Sequence, residues 1–598
     1  MTSFAVSGGG ADSDYMNGVA VDSAGAAVAA GSFYSSATFG GVVLSSAGST
    51  DAVVWKQSAE GTTLWIVRGG GLQTDYLSGV AVDSVGAVVA AGYFYSSQAT
   101  FGGVRLDSAY PGQYDSVVWK MSGQGTTLWA AGGGGTRSDQ LNGVAVDGAG
   151  AVVVAGYFRS SRATFGGVVL TKAGSYDYEA VVWKLSAEGT TMWAVRGGGT
   201  SSDTMTAAAV DDAGAVVAAG YFYSSTATFG GLALTNAADG DDAVLWKLNA
   251  EGTTLWAVRG GSTGTDQLNG VAVDNTGAVV AAGYFTSSPA TFGGVVLTDA
   301  ENEAILWKLS ADGTTLWAVR GGGGGTVDAN TKRRRLTGHS VTRDVMNGVA
   351  FDHANNVVAA GSLSNFRASF GAEVLSKAGT ETGSGNDDAI LWKVSADGTT
   401  LWAMRAGGTD SNDKLYGVAV DNIGAVFAAG YYAGYLTTYD GVALTNAAGP
   451  NDDYATDAVL WKVRNVAGFT CASHHVSLDT ASRSLSCTSR DSTRPLGVTT
   501  PAYPRLPPPL ARLSNRLTHY VLLLVWSHNP CAQVFNTMQP PSPPPSPPPS
   551  PPPPPVFASG FTCPFVCAGY FQTINGAKAG RCRLKPVDTL VVSACAWV

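Results

Sequence analysis

The chain has 598 residues, a net charge of −9 and only 14% charged residues. Globular proteins usually contain about 25% charged residues, and nucleic-acid-binding proteins carry a basic face, so this composition argues against a nucleic-acid partner. Glycine is unfavourable inside helices, and the 78 glycines of this chain therefore favour β-structure over a helical repeat.

One sequence unit occurs seven times in residues 1–464. Copies 1 to 6 have a GVAVD-like run, a turn that usually ends in Gly, an AVVAAGYF-like run, a TFGG-like segment, a DAVLWKL-like run and a GTTLWAVRGG-like run, and copy 7 has all of these except the last. The aspartate that closes the first run marks the copies at Asp22, Asp83, Asp147, Asp211, Asp274, Asp352 and Asp421. A period of about 60 residues indicates one supersecondary unit that buries its faces against its neighbours.

The first copy predicts four strands, at 18–22, 26–33, 51–57 and 62–69, with TFGG as a hinge between the second and the third. Residues 59–61 predict a three-residue hairpin loop with Gly61 in the left-handed conformation. This loop would place Trp55 opposite Trp65, and equivalent tryptophans recur on the third and fourth strands of later copies. In the sixth copy Asn355 replaces the turn glycine, and Asn is the other residue that tolerates this conformation.

The fourth run is present in only six copies, because the seventh ends at Arg464. The N-terminal sequence FAVSGG at 4–9 matches LWAVRGG, and we expect it to supply the missing strand. The prediction is an all-β fold: a seven-bladed β-propeller at 1–464, closed by the N-terminal strand, with the GVAVD run innermost.

The phrases GVAVDxxGxxVxAGxF, TFGG, DAxxWKLxxxG and LWAxRGG resemble the SBBP-type β-propeller repeat family, which occurs mostly in large surface or secreted proteins. The resemblance covers about three quarters of the chain and implies the same fold. It implies little about activity, because propellers bind ligands of every class.

Two acidic sets mark the repeats. One precedes the inner strands, and the first hypothesis is that it converges at one mouth of the central channel and binds Ca²⁺ or a polar ligand; the second hypothesis is local capping of each loop. Its members are Asp14, Asp75, Asp139, Asp203, Asp266, Asp344 and Asp413.

The other acidic set opens the third strands and predicts ion pairs with the arginines that end the fourth strands. Its members are Asp51, Asp115, Glu179, Asp242, Glu303, Asp388 and Asp457.

No catalytic constellation is evident, and the sequence predicts a protein without enzymatic activity. The repeats contain only His339 and His353 as histidine bases, and the GxSxG match at 260–264 lies in a Gly-rich loop rather than between a strand and a helix. The phrase AEGTTLWAV resembles the tryptophan repeat of quinoprotein dehydrogenases, which makes a quinone-dependent oxidoreductase one alternative. No cofactor-binding residues accompany this phrase.

The basic run Lys332–Arg335 is interpreted as a solvated insertion loop.

The composition changes after Arg464. Residues 465–538 predict an irregular or disordered segment, or translated intron. Residues 539–556 predict a stiff polyproline linker similar to those of wall glycoproteins. Residues 557–598 form a small segment that contains four of the seven cysteines. The four cysteines allow three disulfide pairings or a zinc site, of which a small disulfide module is favoured and would indicate an oxidising compartment. The first residues predict no signal peptide, and the compartment stays open between extracellular or cell-surface and cytoplasmic.

The functional prediction is a monomeric scaffold that binds a protein or polysaccharide partner on one rigid propeller face, without nucleic acid, cofactor or transmembrane segment. The expected surface is the face with the longer loops, such as 109–114, 175–178 and 380–387. A structural wall or matrix protein without a discrete ligand is the alternative.

Overall fold

The computed structural model describes residues 3–464, except 175–176, 212, 239, 299–301, 324–342, 379–385, 410 and 450–454. It also describes the short strands His474–Asp479, Ser484–Ser489, Phe565–Val566, Thr573–Ile574, Ala577–Lys578 and Arg583–Leu584. The predictions for the basic run 332–335, for His339, for the polyproline linker and for the cysteine pairing lie outside the described residues. Two units are distinguished, of which the first, residues 1–472 with 478–484, contains all seven copies.

Every regular element among the described residues is a β-strand. The strands of the first four copies are β1 (Phe4–Gly10), β2 (Tyr15–Val21), β3 (Ala27–Phe39), β4 (Val42–Gln57), β5 (Thr63–Gly71), β6 (Asp75–Val82), β7 (Val88–Phe94), β8 (Gln98–Phe101), β9 (Val104–Asp107), β10 (Asp115–Met121), β11 (Thr127–Gly135), β12 (Asp139–Val146), β13 (Val152–Phe158), β14 (Arg162–Phe165), β15 (Val168–Thr171), β16 (Glu179–Leu185), β17 (Thr191–Gly198), β18 (Asp203–Val210), β19 (Val216–Phe222), β20 (Thr226–Phe229), β21 (Leu232–Thr235), β22 (Asp242–Leu248) and β23 (Thr254–Gly261). Those of the last three are β24 (Asp266–Val273), β25 (Val279–Phe285), β26 (Ala290–Phe292), β27 (Val295–Leu297), β28 (Glu303–Leu309), β29 (Thr315–Gly322), β30 (Val345–Phe351), β31 (Val357–Leu363), β32 (Arg367–Phe370), β33 (Glu373–Ser376), β34 (Asp388–Val394), β35 (Thr400–Ala406), β36 (Asp413–Val420), β37 (Val426–Tyr432), β38 (Leu436–Tyr439), β39 (Val442–Thr445) and β40 (Asp457–Val463).

Copies 1 to 6 each supply an antiparallel sheet of inner, second, third and fourth strands, as in β12–β13–β16–β17, and copy 7 supplies the first three of these strands as β36–β37–β40. Repetition of such four-stranded sheets is the architecture of a β-propeller. The fold class predicted from the sequence is therefore confirmed as an all-β propeller. The described residues contain no helix long and apolar enough to cross a membrane.

The TFGG segment is a hairpin of two strands, not the hinge that the sequence predicted. In copy 2 it consists of β8 and β9, and Phe101 at its turn pairs with Gly69 at the end of β5 in copy 1. Copies 3 to 6 repeat this pairing with the preceding fourth strand, for example β14 with β11, whereas β38 and β39 of copy 7 form a separate two-stranded sheet. We call these elements bridging hairpins. They were missed because a four-residue strand is too short to show a periodic pattern.

The tryptophan pairing predicted from the hairpin loop is wrong by one residue. Ser58 and Thr62 close the expected three-residue loop, but the register then shifts between Lys56 and Gln57. As a result Trp55 pairs with Ile66, and Lys56 pairs with Trp65. A β-bulge of this kind adds one residue to one strand, which composition does not reveal.

The third-strand tryptophans form the centre of the packing between sheets. Trp119 is fully buried, contacts the ring of Phe101 at 5.5 Å between centroids, and donates from Nε1 to Thr127 Oγ1 at 2.9 Å. The core around it combines residues of copies 1 and 2, such as Val54 and Leu77. The sheets are thus held together by apolar contacts between neighbouring copies, as the repeat period indicated.

The inner strands approach one another closely, and this explains the glycine of the GVAVD run. A Cβ on Gly18 would lie 3.0 Å from the Cα of Gly79 in the next inner strand, and one on Gly348 would lie 3.2 Å from the Cα of Gly417. A larger residue would push these backbones apart.

Candidate binding face

The inner strands all begin at one end of their sheets, which we call the loop face. In copy 2 the register places Asp75, Phe94 and Asp115 side by side, so the start of β6, the end of β7 and the start of β10 lie together. The connections between copies and the bridging hairpins therefore share this face. The opposite end, which we call the turn face, carries the Asp-x-x-Gly turns and the three-residue loops.

The aspartates predicted to line one mouth of the channel lie on the loop face but are completely buried. In copy 3, Asp139 Oδ2 accepts hydrogen bonds from Gly135 N at 2.7 Å and from Ser160 Oγ at 2.8 Å. Its Oδ1 accepts from the backbone N of Arg159 at 2.8 Å and of Ser160 at 3.1 Å. Gly135 ends the fourth strand of the preceding copy, so Asp139 ties two copies together.

The same arrangement recurs with small changes. Asp75, Asp203 and Asp266 bind a serine two residues after the second strand, namely Ser96, Ser224 and Ser287. In copy 6, Asn365 donates to Asp344 instead, and in copy 7 the hydroxyl of Ser411 donates to Asp413. Asp14 accepts from Gly10 N and Tyr34 N. The recurring serine after AGYF was a usable signal for this motif.

Several aspartates of this set lie near an acid that opens the third strand of the preceding copy. A Cβ on Gly70 would lie 2.7 Å from Asp75 Oδ2 and 3.0 Å from Asp51 Oδ1. Calcium takes six to eight oxygen ligands, whereas the described residues contain no group of three His, Cys, Asp or Glu side chains that could hold a metal. These residues do not fit a calcium site, and local capping accounts for their hydrogen bonds.

Burial changes the acidity of these carboxyl groups. Desolvation raises the pKa of Asp75 to about 6, although hydrogen bonds from Gly71 and Ser96 counteract it. It raises the pKa of Asp413 to about 7, and that of Asp14 to about 8, where Asp457 contributes to the increase. The loop face therefore contains groups that exchange protons near neutral pH.

Five of the seven members of the second acidic set form the ion pairs predicted from the sequence; for Asp115 and Asp457 the arginine position holds Gly132 and Ser7. Arg68 Nη1 lies 2.5 Å from Asp51, and Arg259 Nη1 lies 2.9 Å from Asp242. The other such pairs are Arg196–Glu179, Arg320–Glu303 and Arg405–Asp388. The arginines are about two-fifths exposed, so each pair contributes about 0–1 kcal/mol.

A network of tyrosines covers the loop face, and the sequence interpretation missed it. Tyr15 and Tyr431 are in edge contact at 5.2 Å, and Tyr76 stacks on Tyr93 at 5.4 Å. Tyr114 then contacts Tyr93 at 5.0 Å. The signal was the tyrosine of the AGYF phrase, which the strand alternation directs to the same side in several copies.

Asparagines link the inner strands beneath these rings. The hydroxyl of Tyr76 donates to Asn17 Oδ1 at 3.1 Å, and Asn17 Nδ2 donates to the carbonyl of Leu77 in copy 2 at 2.8 Å. Asn142 makes the equivalent bond to the carbonyl of Met205. Asn17 lies at an inner-strand bulge, between Met16 and Gly18. The face is thus rigid and offers both aromatic rings and hydroxyl groups.

The turn face carries a repeated buried ion pair that the sequence analysis also missed. The lysine of the WKL phrase binds the aspartate that closes the inner strand of its own copy, as in Lys184–Asp147 at 3.1 Å. Equivalent pairs are Lys56–Asp22, Lys120–Asp83, Lys247–Asp211, Lys308–Asp274, Lys393–Asp352 and Lys462–Asp421. Lys184 Nζ also donates to Gly214 O of the next copy at 3.2 Å. These lysines and aspartates therefore stabilise the fold through contacts within and between copies.

The serine of the GxSxG match is also part of the scaffold. The backbone N of Ser262 donates to Asp266 Oδ2 at 2.8 Å, in the connection between β23 and β24. This connection joins two strands, whereas the nucleophile of that motif requires a turn from a strand to a helix.

No protein-family model and no curated protein matches the chain. Solved structures that are similar to it include the WD40 β-propeller domain of Doa1, with 10% identity, a TM-score of 0.27, and coverage of 64% of this chain and 92% of that one. A gluconolactonase from Xanthomonas campestris has 11% identity and a TM-score of 0.26, with coverage of 60% and 86%. The phage phi92 endosialidase has 8% identity and a TM-score of 0.31, with coverage of 83% and 76%. Similarity at this level carries no argument about activity.

Proposed function

We propose that the seven copies are the blades of one closed ring, and that this ring is a monomeric, non-enzymatic platform that binds a protein or glycan partner on its loop face. The resemblance to SBBP-type repeats supports the ring, because copies 1 to 6 have all the elements of one blade and copy 7 lacks only the fourth strand. Strand pairing supports its closure. β1 pairs with β40 from Phe4–Lys462 to Gly8–Ala458, so it takes the place of the fourth strand of copy 7.

Contacts between the first and last copies have the same character as those between other neighbours. A Cβ on Gly417 would lie 3.0 Å from the Cα of Gly18, which is the inner-strand spacing seen elsewhere. One core cluster joins Val19 and Trp55 of copy 1 to Phe427 and Leu460 of copy 7. In a closed ring every blade has a neighbour on each side, which favours a monomer.

The observation that carries the binding role is a set of exposed aromatic residues on the loop face. Tyr34 lies within β3, Tyr223 and Tyr435 follow β19 and β37, and Tyr110 lies in the loop before β10; each is 42–55% exposed. Tyrosine combines a large contact area with a polar hydroxyl at a low cost in conformational entropy, and is therefore favoured at binding surfaces. Here the loops stand on a packed frame, where binding residues commonly occur.

The test is a saturation-binding experiment with the full chain on glycan and peptide arrays, followed by titration of the best probe. A triple variant, Tyr34→Thr, Tyr95→Thr and Tyr223→Thr, changes the residue directly after the last phenylalanine of the AGYF-like phrase, which is the half-buried Tyr95 in copy 2 and Thr286 in copy 5. We expect it to lose at least about tenfold in affinity. Val85→Ala, an exposed apolar position on the turn face, is the matched control and should bind normally. Absence of any saturable probe, or equal binding by the triple variant, would contradict the proposal.

A further inference from the structure

Copy 2 is the one copy whose sequence has tyrosine at four particular positions of the loop face. These are the second residue of the inner strand, the residues on either side of the last position of the AGYF-like phrase, and the residue before the acid that opens the third strand. In copy 2 they hold Tyr76, Tyr93, Tyr95 and Tyr114. Copy 1 has Ser32 and Thr50 at the positions of Tyr93 and Tyr114, so the fold does not require these tyrosines.

The four rings form one continuous set of contacts, which we call the tyrosine row. Tyr76 stacks on Tyr93 with 5.4 Å between ring centres, and Tyr114 contacts Tyr93 at 5.0 Å. Tyr114 also contacts Tyr95, at 4.9 Å. All four are half-buried, and Tyr110, in the same loop as Tyr114, is 55% exposed. The loop face of copy 2 thus presents an aromatic surface made by five tyrosines.

The loop 108–114 is held in place by hydrogen bonds of its own. Asp115 closes it by accepting from Ser108 Oγ at 2.8 Å and from the backbone N of the next residue at 2.7 Å. Within the loop, Gln113 N donates to Tyr110 O at 3.2 Å. A ligand that binds a loop already fixed in this way has little ordering entropy to overcome.

The segments around the row contain no charged residue. They are 72–74, 95–98 and 108–114, and their polar side chains are amides and hydroxyls, of which Gln73 and Ser97 are exposed. The acids that follow the first and the last segment are buried. A charged ligand would find no opposite charge in these segments, whereas a neutral ligand would find both donors and acceptors.

A groove of about 670 Å³ begins beside the row, between copies 1 and 2. Residues 96–98, which directly follow the second strand and Tyr95, line part of it. The two arginines that line it are paired with carboxylates, as Arg68–Asp51 at 2.5 Å and Arg105–Asp107 at 2.7 Å. The groove is therefore close to neutral, and its volume lies in the range of roughly 300–1,000 Å³ that is usual for small-ligand sites.

Aromatic rings beside uncharged amides and hydroxyls fit a saccharide without charged groups. The apolar face of a sugar ring can pack on a tyrosine, while its hydroxyls both donate and accept hydrogen bonds. A proline-rich peptide is the other neutral ligand that binds aromatic surfaces. Its prolines offer only carbonyl acceptors, so they would leave the acceptor oxygens of the groove unpaired, which favours the saccharide.

We propose that the tyrosine row of copy 2, with the adjoining groove, binds a neutral oligosaccharide whose sugar rings pack on Tyr110 and Tyr114. This inference rests on the proposed binding function, and it names the ligand class and the part of the loop face that binds it.

The experiment titrates the full chain with four probes: a xylo-oligosaccharide, a galacto-oligosaccharide, an oligogalacturonate and a proline-rich peptide. The ring-deletion variant is Tyr110→Ser with Tyr114→Thr, and threonine is the residue that copy 1 has at the second position, Thr50. The hydroxyl-deletion variant is Tyr110→Phe with Tyr114→Phe. The control is Leu128→Thr, a residue of the same copy that is 54% exposed at the start of the fourth strand.

We expect at least one of the two neutral saccharides to bind the wild type and the Leu128→Thr control with equal affinity, and the ring-deletion variant at least about tenfold more weakly. The hydroxyl-deletion variant should lose less affinity, because its rings can still pack on the sugar. Raised salt should leave the binding unchanged, since no ion pair forms. Equal binding by the ring-deletion variant, or a preference for the oligogalacturonate, would overturn the assignment.

Failure of this inference and failure of the proposed function give different results. If the proline-rich peptide binds best and the ring-deletion variant weakens it, the ligand class is wrong. If another array probe binds the wild type and the ring-deletion variant equally well, the platform role stands and copy 2 is not its site. If no probe of any kind binds, both are wrong. The melting temperature of the ring-deletion variant should stay close to that of the control, and a large fall would mean that the row is structural.

Discussion

Lys462 Nζ donates a hydrogen bond of 2.8 Å to the carbonyl oxygen of Ala59, although the two residues are 403 positions apart. Lys56 makes the equivalent bond to Gly123 O, and Lys120 bonds Gly150 O, in each case to a turn of the next copy. The bond of Lys462 is thus the ordinary contact between neighbours, formed here between the last copy and the first. When every repeat contacts its two neighbours in the same way, the two ends of the array meet if its curvature is right.

Deletion of residues 1–10 should destabilise the propeller strongly. It removes β1, exposes the edge of β40, and takes Ala5 and Phe4 from their cores. The loss of buried area predicts a fall of about 3–5 kcal/mol in the free energy of unfolding. Urea unfolding of the truncated and full chains measures it, with Val85→Ala as a neutral control. An unchanged midpoint would mean that β1 does not complete the last sheet.

The buried lysine–aspartate pairs predict a strong difference between single and double variants. Lys184→Met leaves Asp147 as an isolated buried charge and should cost about 3 kcal/mol. In the double variant with Asp147→Asn, the amide oxygen can still accept from Ala149 N and Ala151 N, so more than half of the loss should return. Chemical denaturation of the four members of this cycle gives the coupling energy. Additive effects would show that the pair does not interact.

Gly125 packs against the fourth-strand tryptophan of the preceding copy, Trp65. Its φ is +82°, and an added Cβ would lie 2.9 Å from the Trp65 ring. Gly86 has the same φ of +82° with nothing within 4 Å of its added Cβ. Gly86→Ala should therefore cost about 1 kcal/mol from backbone strain alone, and Gly125→Ala about 1–3 kcal/mol more. Equal melting temperatures for the two variants would show that Trp65 does not pack on this turn.

The propeller was predictable because its evidence is repeated. The turn glycines, with Asn355 as a substitute at φ +59°, and the ion pairs such as Arg68–Asp51 follow from residue types at fixed spacing. Each copy confirms the pattern of the others. The strand register and the sheet to which a segment belongs do not follow in this way.

What was missed depends on geometry between elements. The bulge that moves Trp55 opposite Ile66 changes no residue type, and the bridging hairpins pair with a different copy from their own. The partner of Lys184 lies at Asp147, on the far side of the intervening strand β13. The carboxylate of Asp139 was recognised as a loop residue, but its contact with Ser160 depends on where two loops meet.

Stability should rise as the pH falls from 8 to 5, because several buried carboxyl groups bind protons more tightly in the folded state. The folded pKa is about 8 for Asp14, about 7 for Asp413 and about 6 for Asp139, against an ordinary value of 3.8. A raised pKa gives stabilisation that is complete below 3.8 and is lost as the pH rises through 6–8.

The turn-face ion pairs give stability a pH dependence of the opposite sign, but at lower pH. The interaction with Lys56 lowers the pKa of Asp22 despite its burial, and Lys393 does the same for Asp352. Their stabilisation is present above the ordinary value of 3.8 and is lost only as the pH falls through the lower folded value. It does not change between pH 5 and 8, so the loop-face carboxyls determine the slope there.

Thermal unfolding at pH 5, 6, 7 and 8 at constant ionic strength measures this dependence. Asp14→Asn should flatten the curve most between pH 7 and 8, since Asp14 has the highest of these pKa values. The variant should also be less stable at every pH, because an amide has one acceptor oxygen fewer for Gly10 N and Tyr34 N. Asp107→Asn, at an exposed carboxylate, is the control and should keep the wild-type slope. A melting temperature that rises with pH over this range would show that the loop-face carboxyls are ionised in the folded protein, and that their hydrogen bonds outweigh the cost of burying their charge.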